Sequence, residues 1–221
     1  MTTMTEINLL SSIPKPRRSI SERKEAKTQE HIDISRMYGQ EYFDGPREYG
    51  YGGYKYDGRW ISVAKDIIKH FHLAKGQKVL DIGCAKGFLV KDLVDLGIDA
   101  VGIDISKYAI DNAMPEIKDR LFLGNANNLK FSDFEFDAVL SINTIHNLDR
   151  EGCKKAIQEM KRVSKNEKNI FIQVDSYNNE RQKKIFESWV LTAKFYGYPK
   201  EWLELFRECS YNGSYFWTII K

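Results

Sequence analysis

The chain has 221 residues, 42% of them hydrophobic, which is enough for one sizeable core and short for two. Its formal net charge of +3 is small and neither requires nor excludes a polyanionic partner. With no apolar run of about 20 residues, no secretory signal and no C-x-x-C pair, the sequence predicts a cytoplasmic protein with reduced thiols and no structural zinc.

The first 28 residues differ from the rest of the chain. They are polar, interrupted by Pro14 and Pro16 and poor in apolar residues, which predicts a flexible N-terminal arm. Three basic residues, Lys15, Arg17 and Arg18, suit phosphate contacts. Because nearby glutamates dilute that charge, a solvated tail is the favoured interpretation.

Residues 38–60 form a tyrosine-rich segment that one amphipathic helix face cannot explain. Glycines let its backbone turn and fold over, and the tyrosines offer a large amphipathic contact area. Three interpretations stay open: a cover over a binding site, a platform for RNA bases, and a loop packed on the sheet edge. An RNA platform usually needs a basic stripe, and the segment has only Arg47, Lys55 and Arg59.

Downstream of this segment, helical and strand-like patterns alternate. Strand patterns occupy residues 79–82, 99–104, 121–123, 136–142, 169–175 and 215–220. Helical patterns begin at Trp60, run over 88–96 and 106–114, and recur around 156–163 and 202–206. This alternation predicts an α/β fold with a largely parallel sheet and helices on both faces.

The most informative segment joins the strand at residues 79–82 to the next helix through a glycine-bearing turn. Backbone N–H groups at such a turn can approach a bound ligand. The following strand ends in Asp104, about two dozen residues after Asp81, where an acid can take both hydroxyls of a ribose. Together these features predict a nucleoside-containing cofactor.

The glycine spacing separates two cofactor classes. A dinucleotide site needs G-x-G-x-x-G, but counting from Gly83 the second and third positions hold Ala85 and Phe88. The pattern that is present, Asp81 followed by Gly83 and Gly87, resembles that of the class I S-adenosylmethionine-dependent methyltransferases. Ala85 replaces the family's middle glycine, which leaves room for the cofactor if φ there is negative. Two glycines that only pack the helix on the strand are the alternative.

The resemblance runs from about Gly76 to the C-terminus and implies a Rossmann-like, mostly parallel seven-stranded sheet with an antiparallel last strand. We expect the strand not yet located within residues 190–196 or around Tyr211. Residues 1–28 are then a flexible arm, residues 29–75 a lid and helix packed on the core, and residues 76–221 the S-adenosylmethionine-binding core. The cofactor is S-adenosylmethionine, with S-adenosylhomocysteine as product.

Matching the family's motifs residue by residue implies the cofactor contacts Asp81, Gly83, Cys84, Ala85, Gly87, Phe88, Asp104, Ile105, Asn125, Ala126 and Asn143. Asn125 occupies a position where the family often has an aspartate that contacts adenine, and its amide oxygen can accept from the adenine amino group. The alternative is a polar turn in which asparagines bond their own backbone.

The segment after the fourth strand narrows the choice of acceptor. Methyltransferases that act on the amines of bases commonly carry an Asn-Pro-Pro-Tyr-like segment there, which this chain lacks; this argues against a DNA or RNA adenine-N6 acceptor and disfavours a nucleic-acid partner. Asn143 also stands where metal-dependent catechol-type relatives place an aspartate, so we expect no metal.

Methyl transfer depends mainly on aligning the acceptor with the activated methyl group. A hydroxyl acceptor also benefits from a general base, and His146 is the first candidate because it follows a ligand-facing strand end. A capping or packing role is the alternative for a lone histidine. Asp175 and Tyr177 follow the fifth strand at the same rim and are further candidates to orient or deprotonate an acceptor.

In related methyltransferases the region before the first helix often covers the ligands, so the resemblance implies that the tyrosine-rich segment is a lid. Its ligand-facing residues are then Tyr51, Tyr54, Tyr56, Arg59 and Trp60. We expect O-methylation rather than N-methylation of a small molecule such as a sugar, polyol or secondary metabolite. A protein or structured-RNA acceptor and a non-catalytic cofactor-binding role are the alternatives, and the oligomeric state stays open.

Overall fold

A computed structural model of the chain describes residues 4–13 and 27–219, and within these residues seven strands form one sheet. The strands are β1 (Thr5–Glu6), β2 (Lys78–Ile82), β3 (Asp99–Asp104), β4 (Leu121–Leu123), β5 (Ala138–Ile142), β6 (Ile170–Ser176) and β7 (Ser214–Ile219). Across the sheet their order is β1-β7-β6-β5-β2-β3-β4, and every pair of neighbours is parallel. The six predicted strands and the parallel α/β sheet are confirmed.

Helices connect the strands. They are α1 (Gln29–Arg36), α2 (Gln40–Phe43), α3 (Ile61–His70), α4 (Phe88–Asp95), α5 (Lys107–Asp111), α6 (Arg150–Val163), α7 (Glu180–Trp189) and α8 (Pro199–Glu208). Short 3₁₀ turns cover Pro115–Arg120, Ile145–Asn147 and Glu167–Asn169. Ser106 caps α5 as its sequence position predicts, because its side chain accepts a hydrogen bond from the N–H of Ala109 at 2.9 Å. Within the described residues, none of the helices is long and apolar enough to cross a membrane.

The expectation of an antiparallel last strand is wrong. β7 runs parallel to β6, with Phe171 opposite Ser214 and Ser176 opposite Ile219. The reason lies in the connection between them, since α7 and α8 return the chain to the starting end of the sheet, as a parallel crossover requires. The seventh strand is also not where it was expected, because Thr5–Glu6 adds to the far side of β7.

The N-terminal arm is held against the core wherever it is described. Besides the β1 pairing, Leu9 is only 3% exposed and belongs to the apolar cluster that contains Val63 and Ile67 of α3. The prediction of a flexible arm therefore fails for residues 4–13, because two backbone pairings and a buried leucine hold them. Residues 14–26, with the basic residues considered for phosphate contacts, lie outside the described residues.

The core has one apolar layer on each face of the sheet. Helices α6 and α8 cover one face, with Met160 and Trp202 fully buried, and helices α3 and α4 cover the other, with Ile67 and Leu93 fully buried. The central strands are therefore apolar on both faces, as in other parallel sheets. Their carboxyl ends meet at one edge, where the glycine-bearing turn lies.

Candidate active site

The turn after β2 has a left-handed backbone at three positions. Gly83, Ala85 and Gly87 have φ of 79°, 52° and 77°. A Cβ on Gly83 would lie 2.0 Å from Oγ1 of Thr144, so a side chain at this position would collide with its neighbour. The condition of a negative φ at Ala85 is not met, and an alanine in this conformation carries about 1 kcal/mol of strain. The N–H of Ala85 donates to Oδ2 of Asp104 at 2.8 Å, which helps to hold this conformation.

Two carboxyl groups end the neighbouring strands β2 and β3. Asp81 is 5% exposed, and its burial, followed by the charge of Asp104, raises the pKa of Asp81 to about 7. Burial also raises the pKa of Asp104, against the hydrogen bonds that its carboxylate accepts from the N–H groups of Ser106 and Ala85. Two acids whose pKa values are both raised favour a cationic group beside them, because a positive charge relieves both their repulsion and their desolvation.

A cavity of about 530 Å³ opens above the turn. Its walls come from the turn and the strand ends, from the tyrosine-rich segment, and from residues 189–192 at the end of α7. The predicted site residues that line it are Asp81, Gly83, Cys84, Ala85, Phe88, Asn143, His146, Asp175, Tyr51, Tyr54, Arg59 and Trp60. Residues that are 124 positions apart in the sequence thus meet in one cavity, as Tyr51 and Asp175 do.

Two predicted site residues point elsewhere. Tyr177 is 3% exposed and packs against Phe186 and Tyr198, with ring centroids at 5.8 and 4.8 Å, so it does not reach the cavity. The hydroxyl of Tyr56 donates to Oδ1 of Asp92 on α4 at 2.5 Å, which turns its ring away from the cavity. In both cases a closer apolar or carboxylate partner holds the side chain.

The remaining predicted cofactor contacts, Gly87, Asp104, Ile105, Asn125 and Ala126, are not among the cavity-lining residues. Ile105 follows β3 with 56% of its surface exposed, which is unusual for an isoleucine at the end of a buried strand. Oδ1 of Asn125 accepts a hydrogen bond from the N–H of Asn127 at 3.2 Å. In the structure, this side chain therefore bonds its own backbone turn, as the alternative interpretation expects. The adenine contact of Asn125 stays a prediction.

His146 lies in the 3₁₀ turn that follows β5, and its ring is buried beside Asp175. The backbone N–H of Asp175 donates to Nδ1 of His146 at 3.4 Å, and burial lowers the pKa of His146 to about 4. The imidazole is therefore neutral near pH 7, and because Nδ1 accepts, its proton is assigned to Nε2. In this arrangement the ring offers a hydrogen-bond donor rather than a base.

Sequence reasoning missed the residues that join the tyrosine-rich segment to the turn and those that close the far wall. Lys86 in the turn forms an ion pair with Asp44, and Trp189, Val190 and Leu191 line the cavity opposite the turn. No spacing rule could have linked Lys86 to Asp44, which lies 42 residues earlier. The apolar run 189–191 was visible, but its pattern was interpreted as a possible strand.

Comparison with known proteins finds similarity to methyltransferases. A family model described as "Methyltransferase domain" matches residues 80–172. The demethylmenaquinone methyltransferase of Renibacterium salmoninarum is 32% identical over 108 residues, which is 48% of this chain and 44% of that protein. Cycloartenol-C-24-methyltransferase 1 of Oryza sativa subsp. japonica is 31% identical over 129 residues, 50% of this chain and 38% of that protein. The chain thus spans less than half the length of these relatives.

Solved structures agree on the fold. A methyltransferase of Haloferax volcanii, solved in complex with the activator Trm112, superposes with a TM-score of 0.54 at 22% identity, over 66% of this chain and 65% of that one. The YcgJ protein of Bacillus subtilis superposes with a TM-score of 0.51 at 18% identity, over 66% of each chain. At these identities the likeness concerns the fold alone.

Proposed function

We propose that this chain is a class I S-adenosylmethionine-dependent methyltransferase and that it transfers the methyl group of that cofactor to a small-molecule acceptor. One observation carries the proposal. Two carboxyl groups, the buried Asp81 and the half-buried Asp104, flank a glycine-bearing turn at the carboxyl edge of a parallel sheet, beside a cavity of about 530 Å³. We also propose that the protein is cytoplasmic and that its thiols are reduced, because Cys84, Cys153 and Cys209 form no disulfide.

The residues at this edge fit the cofactor. S-adenosylmethionine carries a positive sulfonium and an amino group, and the two acids supply the matching negative charge. The turn lets backbone approach closely because no side chain fits at Gly83. Asp104 would hold the ribose, while Ile105 and Asn125 lie along the chain where the base would be held. When bound, the cofactor supplies an activated methyl group on sulfur.

The cavity lining favours an acceptor with an apolar body. It includes the apolar side chains of Ile13, Trp60, Trp189 and Leu191, and the polar residues His146 and Asp175. Among the acceptors that the sequence suggests, this combination suits an apolar secondary metabolite with one reacting oxygen better than a polyol. The names of the two relatives above also refer to apolar ring compounds.

We assign distinct roles to Asp175 and His146, the two polar residues of this part of the cavity lining. The Asp175 carboxylate lines the cavity and would accept the proton of an acceptor hydroxyl. His146, with its proton on Nε2, would donate a hydrogen bond that orients the acceptor oxygen. This reverses the role expected for His146, since a neutral ring with a pKa of about 4 and an occupied Nδ1 is a poor base at neutral pH.

Two measurements test the proposal in sequence. Calorimetry with S-adenosylmethionine should show binding that Asp104→Ala weakens at least about tenfold, while Asp99→Ala at the other end of β3, where Asp99 pairs with Arg120 on the surface, should leave binding unchanged. Equal affinity in Asp104→Ala would show that the ribose assignment is wrong. Labelled cofactor and fractionated extract then identify the acceptor, and label in protein or RNA instead of small molecules would refute the acceptor class.

A further inference from the structure

Lys86 is an unusual residue for the interior of a cofactor-binding turn. It lies between Ala85 and Gly87, and its side chain is only 9% exposed. Its Nζ lies 2.8 and 2.6 Å from Oδ1 and Oδ2 of Asp44, which belongs to the tyrosine-rich segment. A buried ammonium is costly unless it is paired and hydrogen-bonded, and this one is both.

The ion pair holds the backbone of Tyr54 at both its N–H and its carbonyl group. The N–H of Tyr54 donates to Oδ1 of Asp44 at 3.1 Å, and the carbonyl of Tyr54 accepts from Nζ of Lys86 at 3.1 Å. The hydroxyl of Tyr108 on α5 adds a third bond to Asp44, at 2.7 Å from Oδ2. These bonds join the tyrosine-rich segment, the turn and α5 at a single point.

The ring of Tyr54 is the part of this arrangement that faces the site. It stacks on Phe88, the first residue of α4, with centroids 4.7 Å apart and an interplanar angle of 14°, and it lines the cavity. Burial, followed by the electrostatic effect of the Asp81 and Asp104 carboxyl groups, raises the pKa of Tyr54 well above its usual range. The hydroxyl therefore stays protonated beside the carboxyl groups that face the cofactor.

We propose that Lys86 and Asp44 are positioning residues that fix Tyr54 as a wall of the cofactor site. The inference rests on the proposed function, because it assigns a role at the same site. The ion pair is expected to change cofactor affinity through the position of Tyr54. A pair with a merely structural role would change stability without depending on the Tyr54 ring.

A double-mutant cycle separates these two roles. Calorimetry with S-adenosylhomocysteine should show that Asp44→Asn and Tyr54→Ala each weaken binding about tenfold. The affinity of the double variant should be no lower than that of the single variant with the lower affinity. Asp95→Asn is the matched control, because it breaks the exposed ion pair of Lys91 on α4 without touching the turn, and its affinity should equal that of the wild type.

The outcomes keep this inference distinct from the proposed function. If the wild type binds neither S-adenosylhomocysteine nor S-adenosylmethionine, the proposed function fails, and the positioning role that rests on it fails as well. If the wild type binds but Asp44→Asn binds equally well, or the two effects add fully, the positioning role is wrong and the proposed function stands. Should Asp44→Asn not fold, the neutral pair Asp44→Asn with Lys86→Met replaces it, since no charge is then left unpaired.

Discussion

The ionisation of Asp81 should be visible in both folding and cofactor binding. Burial and the charge of Asp104 raise the pKa of Asp81 to about 7, against about 3.9 in an unfolded chain. Since the folded state binds this proton more tightly, the contribution of Asp81 to stability is fully present below pH ~4 and is lost as the pH rises through about 7. A shift of roughly 3 units corresponds to at most about 4 kcal/mol.

The substitution Asp81→Asn mimics the protonated carboxyl. Without ligand, the variant should match the wild type near pH 4 and exceed its free energy of unfolding at pH 8, by up to about 4 kcal/mol. Denaturant unfolding between pH 4 and 8 measures this difference, with Asp99→Asn on the surface end of β3 as control. If Asp81→Asn and the wild type lose stability in parallel over this range, Asp81 titrates normally and the reasoning is refuted.

Cofactor affinity should rise with pH over the range in which the contribution of Asp81 to stability is lost. A cation beside Asp81 lowers its pKa, so cofactor binding releases a proton below pH ~7, and affinity rises by up to about tenfold per pH unit from pH ~5 to ~7. Calorimetry at pH 6 in two buffers of different ionisation enthalpy counts the released proton. Proton release that persists unchanged in Asp81→Asn would assign it to another group.

Further substitutions test the turn and an ion pair on α6. Gly83→Ala should destabilise the fold by about 2 kcal/mol or more, because its Cβ meets Thr144 at 2.0 Å, and adding Thr144→Ala should recover part of that loss in thermal unfolding. Ala85→Gly should change stability by less than about 1 kcal/mol, since relief of the left-handed strain offsets the lost methyl burial, whereas Ala85→Val should cost at least about 2 kcal/mol. Arg162→Lys should cost about 2 kcal/mol in denaturant unfolding, because the two parallel bonds of Arg162 to Glu159, at 2.7 and 2.8 Å, need a guanidinium, and an unchanged midpoint would contradict this.

The sheet and its turn were predictable because their signals are local. Apolar runs such as 138–142 carry their own pattern, and the spacing of Asp81, Gly83 and Gly87 belongs to one short segment. The direction of β7 was predictable in principle, since two helical segments between β6 and β7 imply a crossover, but family resemblance suggested the opposite. A strand of two residues such as Thr5–Glu6 has no period to detect.

The site was harder to predict because its decisive contacts are distant in sequence. Asp175 and Tyr177 are two residues apart, yet one lines the cavity and the other packs against Phe186, and only the position of α7 decides between them. The proton of His146 depends on a backbone N–H that lies 29 residues later. The Asp44–Lys86 pair has no sequence signal, because an isolated lysine in a turn usually faces water.

The charged contact between the tyrosine-rich segment and the turn limits the arrangements that this segment can adopt beside the cavity. Apolar packing alone, such as that of Tyr54 on Phe88, allows many neighbouring arrangements of similar free energy. A buried ion pair adds little net stability, because the desolvation of its two charges offsets much of their attraction, but it penalises every arrangement that leaves one charge unpaired. The Lys86–Asp44 pair therefore selects one arrangement of the tyrosine-rich segment while adding little net stability, which suits the proposed role of this segment at the cofactor site.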